Sequence, residues 1–418
     1  MEKITLSNGF RILLERRPRS KSCSMGLYIA CGSRFETQEY SGAAHFLEHM
    51  VFKGTKKRSA LDIARESDEL GGLLNAYTTK EYTCFHNKCL PGGTGHSFDI
   101  MADMVTAPLL RESDIELEKN VVLEEIAMYL DSPEDLCFDR LCEGVWPGAT
   151  LGNSITGTAD AVQALDRRKL EEFRRLHYVP ERMLAAFCGN FDADEAVQLA
   201  QRYFGSLSKA DNPPEVSGCD YTPCFVPVKK DFEQLCVCFG FPGVGYDDKR
   251  HYACSLLTSV LGGSSSSRLF QRLREELGLV YSVDAFDSPF MGCGLTGVTM
   301  SMSPSAQRKP LNEAIKLLRE FADSLTADEL RTAAAQAKAS VVFGLESTSG
   351  ALHNMAAGEL LRGRVLSQRD ILLRIDAVDL DSLKKTSGEI LDFSKLSVCA
   401  VGKPDVNFLR KLARDAIQ

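Results

Sequence analysis

The order of strand and helix patterns in this chain occurs twice, and that repetition limits the fold more than any other feature. In the first half Phe10-Arg-Ile-Leu-Leu and Ser24-Met-Gly-Leu-Tyr-Ile-Ala read as strands, followed by a glycine-containing turn and a helical pattern from about Ser41. In the second half Phe225-Val-Pro-Val and Leu235-Cys-Val-Cys-Phe-Gly-Phe take the strand places, with a turn at Pro242-Gly-Val-Gly and a helical pattern from about Lys249. A glycine pair comes next in each half, Gly71-Gly72 and Gly262-Gly263. A repeat of this period implies two tandem domains, not a solenoid. Length agrees, because 418 residues exceed what one hydrophobic core usually serves. Between the halves, residues 206–224 concentrate Pro213, Pro214, Gly218 and Pro223 among serines and Asx residues, a linker composition. The expected division is therefore 1–208, a linker over 209–224, and 225–418.

Strand signals come as hairpins beside helices. Residues 74–78 and 82–86 form one candidate hairpin, and 97–110, 113–130, 160–176 and 194–204 carry apolar residues at helical spacing. The predicted class is α+β: two homologous domains, each a mainly antiparallel sheet covered by helices on one face. A net charge of -8 argues against a non-specific nucleic-acid partner, which needs a basic patch. No window is apolar enough for a membrane span, and the opening residues read as strand and turn with no secretory pattern. A soluble, cytoplasmic protein is the expectation. The fourteen cysteines include no Cys-x-x-Cys pair and many sit in apolar runs, so buried thiols are expected and a cysteine-based zinc site is not.

One segment carries chemistry. His45 and His49 lie four apart in Ala43-Ala-His-Phe-Leu-Glu-His-Met-Val-Phe52, which reads as a helix with both imidazoles on one face. Two neutral imidazoles so spaced can hold one zinc ion, with Glu48 beside them as a general base. The competing reading is a buried helix with two satisfied histidines. It leaves three ionisable groups in an apolar stretch unexplained, where an unpaired charge is costly. A catalytic zinc needs a third protein ligand. Glu118 and Glu125, seven apart, share one helix face with Val122, while Glu124 is rotated away. A solvated charged face accounts for the same spacing.

His45-Phe-Leu-Glu48-His49-Met-Val-Phe-Lys-Gly-Thr55 resembles the signature of the pitrilysin-type metallopeptidases, the inverzincins. The size is similar to the short subfamily, which includes the mitochondrial processing peptidase β subunit and bacterial relatives. The likeness extends through Gly71-Gly-Leu-Leu-Asn75-Ala-Tyr-Thr78, Leu151-Gly…Gly157-Thr and Leu273-Arg274…Tyr281. It implies one Zn2+ per chain on His45, His49 and Glu125, with Glu118 supporting the site and Glu48 as base. It implies that a peptide substrate adds as a strand beside Asn75, Ala76, Tyr77 and Thr78. Arg274 and Tyr281 match a pair that faces the zinc from the C-terminal half, as an oxyanion clamp. Outside that resemblance they read as an ordinary helix arginine and strand tyrosine. The second half has no His-x-x-Glu-His and so resembles an inactive copy. The resemblance implies a dimer, most simply a C2 homodimer. The alternatives are a catalytic subunit with an inactive paralogous partner and a non-catalytic structural subunit.

Overall fold

A computed structural model describes residues 1–210, 216 and 219–417; residues 211–215, 217 and 218 of the expected linker lie outside the described residues. The first half runs β1 (Glu2–Thr5), β2 (Arg11–Arg16), β3 (Cys23–Ile29), α1 (Ala43–Val51), α2 (Ala60–Glu69), β4 (Asn75–Thr78), β5 (Thr83–Cys89), α3 (Thr94–Thr106), α4 (Glu112–Asp131), α5 (Pro133–Val145), α6 (Ala159–Gln163), α7 (Arg167–His177), β6 (Met183–Gly189) and α8 (Ala193–Phe204). The second runs β7 (Phe225–Lys229), β8 (Leu235–Gly243), α9 (His251–Gly262), a π-helical segment Phe270–Glu276, β9 (Ser282–Pro289), β10 (Gly294–Met302), α10 (Arg308–Ser324), α11 (Ala327–Glu346), α12 (Thr348–Arg362), α13 (Gln368–Asp376), α14 (Leu380–Ile390), β11 (Ser397–Gly402) and α15 (Val406–Ile417).

The duplication is visible in the sheets. Their orders are β1-β2-β6-β3-β5-β4 and β7-β11-β8-β10-β9, which correspond strand for strand once β1 is set aside. Each sheet has one parallel pair, β2–β6 and β7–β11, and is otherwise antiparallel. The helix expected over 160–176 is two helices. Asp166 takes an extended conformation between them and its carboxylate accepts from the Lys169 N–H at 2.7 Å, an N-cap that starts α7 afresh.

The compact units are interleaved along the sequence and do not follow its halves. One comprises Met1–Ile126, Asn153–Val216 and Val342–Ser367; the other Ala127–Gly152, Ser217–Val341 and Gln368–Gln418. The equivalent helices α5 and α12 are the exchanged parts. In the first unit, Met25, Leu27, Phe85, Ala185 and Phe187 face a core shared with α1, α3 and α8. The opposite sheet face, carrying Leu13, Tyr28, Cys84, Leu184 and Ala186, is covered by Ala351, Leu352, Met355 and Ala356 of α12. In the second unit, α5 lays Leu136, Leu141 and Val145 against Cys236, Cys238, Cys399 and Val401 of β8 and β11. The first sheet is thus covered on both faces, where helices on one face were expected, because α12 arrives from far along the chain; β3 and β6 are accordingly buried along their whole length.

Among the described residues no helix is long and apolar enough to cross a membrane. No disulfide joins the cysteines, eleven of which are buried.

Candidate metal centre

Helix α1 carries the motif because its residues are good helix formers with no proline or glycine inside. Its start is built tightly. Gly42, at φ +88°, is the N-cap, and a side chain there would meet the Thr156 carbonyl at 2.6 Å. Gly157, at φ +75°, approaches the same backbone from the other side. Only glycine tolerates both conditions. The buried Glu36 carboxylate accepts from the Gly42 N–H at 2.7 Å and the Ala44 N–H at 2.8 Å, closing the first turn. Burial pushes that carboxyl up to about 8, against the pull of the two N–H groups. Phe46, Leu47 and Met50 anchor the other side of α1 in the core.

His45 and His49 project together, with ring centroids 4.6 Å apart. Glu125 of α4 reaches both: its carboxylate oxygens lie 3.6 Å from His45 Nε2 and 3.7 Å from His49 Nε2. One ligand atom from each of the three lies within 4.8 Å of the others, which suits a single ion with two imidazoles and one carboxylate. The protonation state of His45 suits it as well. Burial, helped by the charge of His49, lowers His45 to about 4, so its imidazole is neutral near pH 7. Burial also works to lower His49, but the hydrogen bond and charge of Glu118 outweigh it and raise the group. That contact, Glu118 Oε1 to His49 Nδ1 at 2.8 Å, places the ring proton on Nδ1 and leaves the Nε2 lone pair toward Glu125.

Glu118 is buried and also paired with Lys53. Burial would raise its carboxyl, yet the hydrogen bonds from His49 and Lys53 hold it below its usual range. Val122 is fully buried between the two glutamates and Glu124 is exposed, so the face read from the spacing is the observed one and is not a solvated charged face.

Glu48 is buried beside this group. Burial raises its carboxyl, opposed by a hydrogen bond that Thr78 Oγ1 donates to it at 2.6 Å. Thr78 comes from β4, the edge strand of the sheet, which pairs on one side with β5 in the register Asn75↔His86 to Thr78↔Thr83. Side chains alternate along it. Thr78 turns toward α1, whereas Tyr77 packs with Tyr82, His86 and His353 on the α12 side.

The structure therefore brings together His45, Glu48, His49, Glu118, Glu125 and Thr78. Arg274 and Tyr281 belong to the second unit. Arg274 lies in the π-helical segment, exposed, with its guanidinium over the Phe270 ring at 4.9 Å. Tyr281 is 59% exposed, its N–H bonded to the Ser301 carbonyl. Three contributors escaped the sequence reading: Lys53, Glu36 and the contact of Thr78 with Glu48. Lys53 and Glu36 flank the motif in sequence, but charged neighbours of a helix are too common for position alone to single them out.

Comparison with known proteins identifies the family. Residues 11–159 match the family described as Insulinase (Peptidase family M16), and residues 164–337 match the Peptidase M16 inactive domain. The chain belongs to peptidase family M16. It is 36% identical to an uncharacterized zinc protease of Streptomyces coelicolor over 94% of this chain and 87% of that one. It is 35% identical to an uncharacterized zinc protease of Bacillus subtilis over 91% of this chain and 93% of that one. A protease from Helicobacter pylori shares the fold with a TM-score of 0.90 at 21% identity, over 96% of this chain and 99% of that one.

Proposed function

We propose that this chain is a zinc-dependent endopeptidase that cleaves oligopeptides or unfolded protein segments. The observation that carries the reading is the convergence of His45, His49 and Glu125 on one point, with the buried carboxyl of Glu48 alongside. Those three residues would hold one Zn2+ per chain. When bound, the ion supplies Lewis acidity to the scissile carbonyl and to the attacking water. Glu48 takes the proton from that water and returns it to the leaving amine, and its raised affinity for protons suits it to both transfers. Glu118 and Lys53 hold His49 in the ligating tautomer.

A peptide adds to the free edge of β4 as an extra strand beside Asn75–Thr78, which aligns the scissile bond with Glu48. Arg274 and Tyr281 clamp the developing oxyanion from a second copy of the chain in a C2 dimer, in keeping with their exposure. The cytoplasm is the proposed site of action.

Glu48→Gln tests the mechanism. Zinc content should be unchanged while cleavage of a peptide library falls about a hundredfold or more. Normal turnover in that variant would overturn the assignment. The mass and activity of the purified chain, measured together, test the dimer; an inactive monomer restored by a different chain would overturn the homodimer.

A further inference from the structure

A second convergence of metal-ligating side chains lies in the second unit, away from histidine and carboxylate chemistry. Cys236 and Cys238 are two apart on β8 and so point to one face of the sheet. Helix α5 crosses that face and presents Cys137 to them. The three sulfurs all lie within 4.8 Å of one another. The Cys137 thiol also reaches the Cys236 carbonyl at 3.8 Å and the Cys399 carbonyl at 3.6 Å. Leucines, valines and Trp146 close the cluster from solvent.

Buried cysteine commonly serves as a small hydrophobe. That role asks only that each thiol fill space and does not call for three sulfurs to meet at one point. A metal does. Sulfurs bound to one ion at about 2.3 Å sit roughly 4 Å from each other, a small adjustment from the observed spacing.

We propose that Cys137, Cys236 and Cys238 form a second metal site, taking a soft monovalent d10 cation, Cu(I), in three-coordinate sulfur ligation. Zinc in structural sites takes four ligands, whereas the sulfurs that lie within 4.8 Å of one another here are three. Hard cations take six or more oxygen ligands, and the oxygens beside these sulfurs are the Cys236 and Cys399 carbonyls and the Thr299 hydroxyl. Thiolate softness selects Cu(I). The ion would tie α5 to a strand 99 residues further along the chain and so hold the exchanged helix on its sheet. Because the sulfurs are enclosed, loading precedes the docking of α5.

The test uses the full chain carrying His45→Ala, so that the histidine centre does not contribute. It is expressed with copper in the medium, purified without oxygen, and examined by elemental analysis and copper X-ray absorption. One Cu(I) per chain with sulfur neighbours only is expected. Cys137→Val and Cys236→Ala should each lower copper content at least about tenfold, while Cys89→Ser, at a buried thiol of the first unit, should not. Absence of copper, nitrogen or oxygen neighbours, zinc in a four-sulfur shell, or copper content indifferent to both substitutions would each overturn the site. If the substituted chains fail to fold, the absorption spectrum of the chain with all its cysteines decides alone.

Discussion

Glu118 Oε1 lies 2.8 Å from His49 Nδ1, and the other carboxylate oxygen of Glu118 is paired with Lys53. In the proposed site this buried carboxylate would not bind the metal but would fix the ring that does. Partners of this kind typically govern metal affinity by about 10–100-fold. Glu118→Ala should weaken zinc binding by that order in a chelator competition, with a smaller loss in Glu118→Gln, which still accepts a hydrogen bond. Equal affinity in all three proteins would show that His49 is oriented by something else.

The hydrogen bond from Thr78 to Glu48 gives a pH prediction. It favours the ionised carboxylate, opposing the upward push of burial. As the proposed base, Glu48 would work only when ionised, so activity should fall as the pH drops through its titration. Thr78→Val removes the donor and raises the titration point, moving the acidic limb of kcat/KM to higher pH. Thr78→Ser keeps the donor and should leave the limb in place. A limb that stays put in Thr78→Val would mean that another group controls it.

Much of this site was legible because its signals are local. The four-residue spacing of His45 and His49, and the seven-residue spacing of Glu118 and Glu125, each fix a helix face whatever the tertiary structure. The duplicated strand order was legible for the same reason. What the sequence hid depends on crossing between elements. Helices on one face were expected, and nothing local to β3 or β6 says that the other face is covered by α12, some 160 residues beyond β6. The cysteine cluster was hidden likewise. Cys236-x-Cys238 is a strand spacing, not the Cys-x-x-Cys of a familiar metal knuckle, and Cys137 arrives on a helix from the other half.

Glu36 predicts how stability varies with pH. Its carboxyl titrates at about 8 when folded, against an ordinary value of 4.5. The folded chain therefore binds a proton over that interval that the unfolded chain has released. Stability from this group is fully present below about pH 4.5 and is lost as pH rises toward 8. The slope for one proton is at most about 1.4 kcal/mol per pH unit. Urea unfolding across that range should show a declining contribution that Glu36→Gln abolishes. An unchanged profile in the variant would mean that Glu36 is ionised throughout.

The exchanged helices predict what happens when the chain is cut at the apparent boundary. A fragment of residues 1–210 retains every strand of the first sheet and the whole candidate metal centre. It lacks α12, so Leu13, Tyr28, Leu184 and Ala186 lose the cover of Leu352 and Met355. It also keeps α5 with no second sheet beneath it. Burial of one large apolar side chain contributes about 2 kcal/mol, so several such losses are comparable with the whole stability of a domain. Strand residues buried on both faces in the full chain would then face water on one side. The fragment should aggregate or bind a hydrophobic dye strongly when expressed alone. Co-expression with residues 219–418 should restore a dye-silent, zinc-binding complex, because each fragment carries the helix that the other sheet needs. A soluble, dye-silent 1–210 fragment would show that α12 is dispensable to the first sheet.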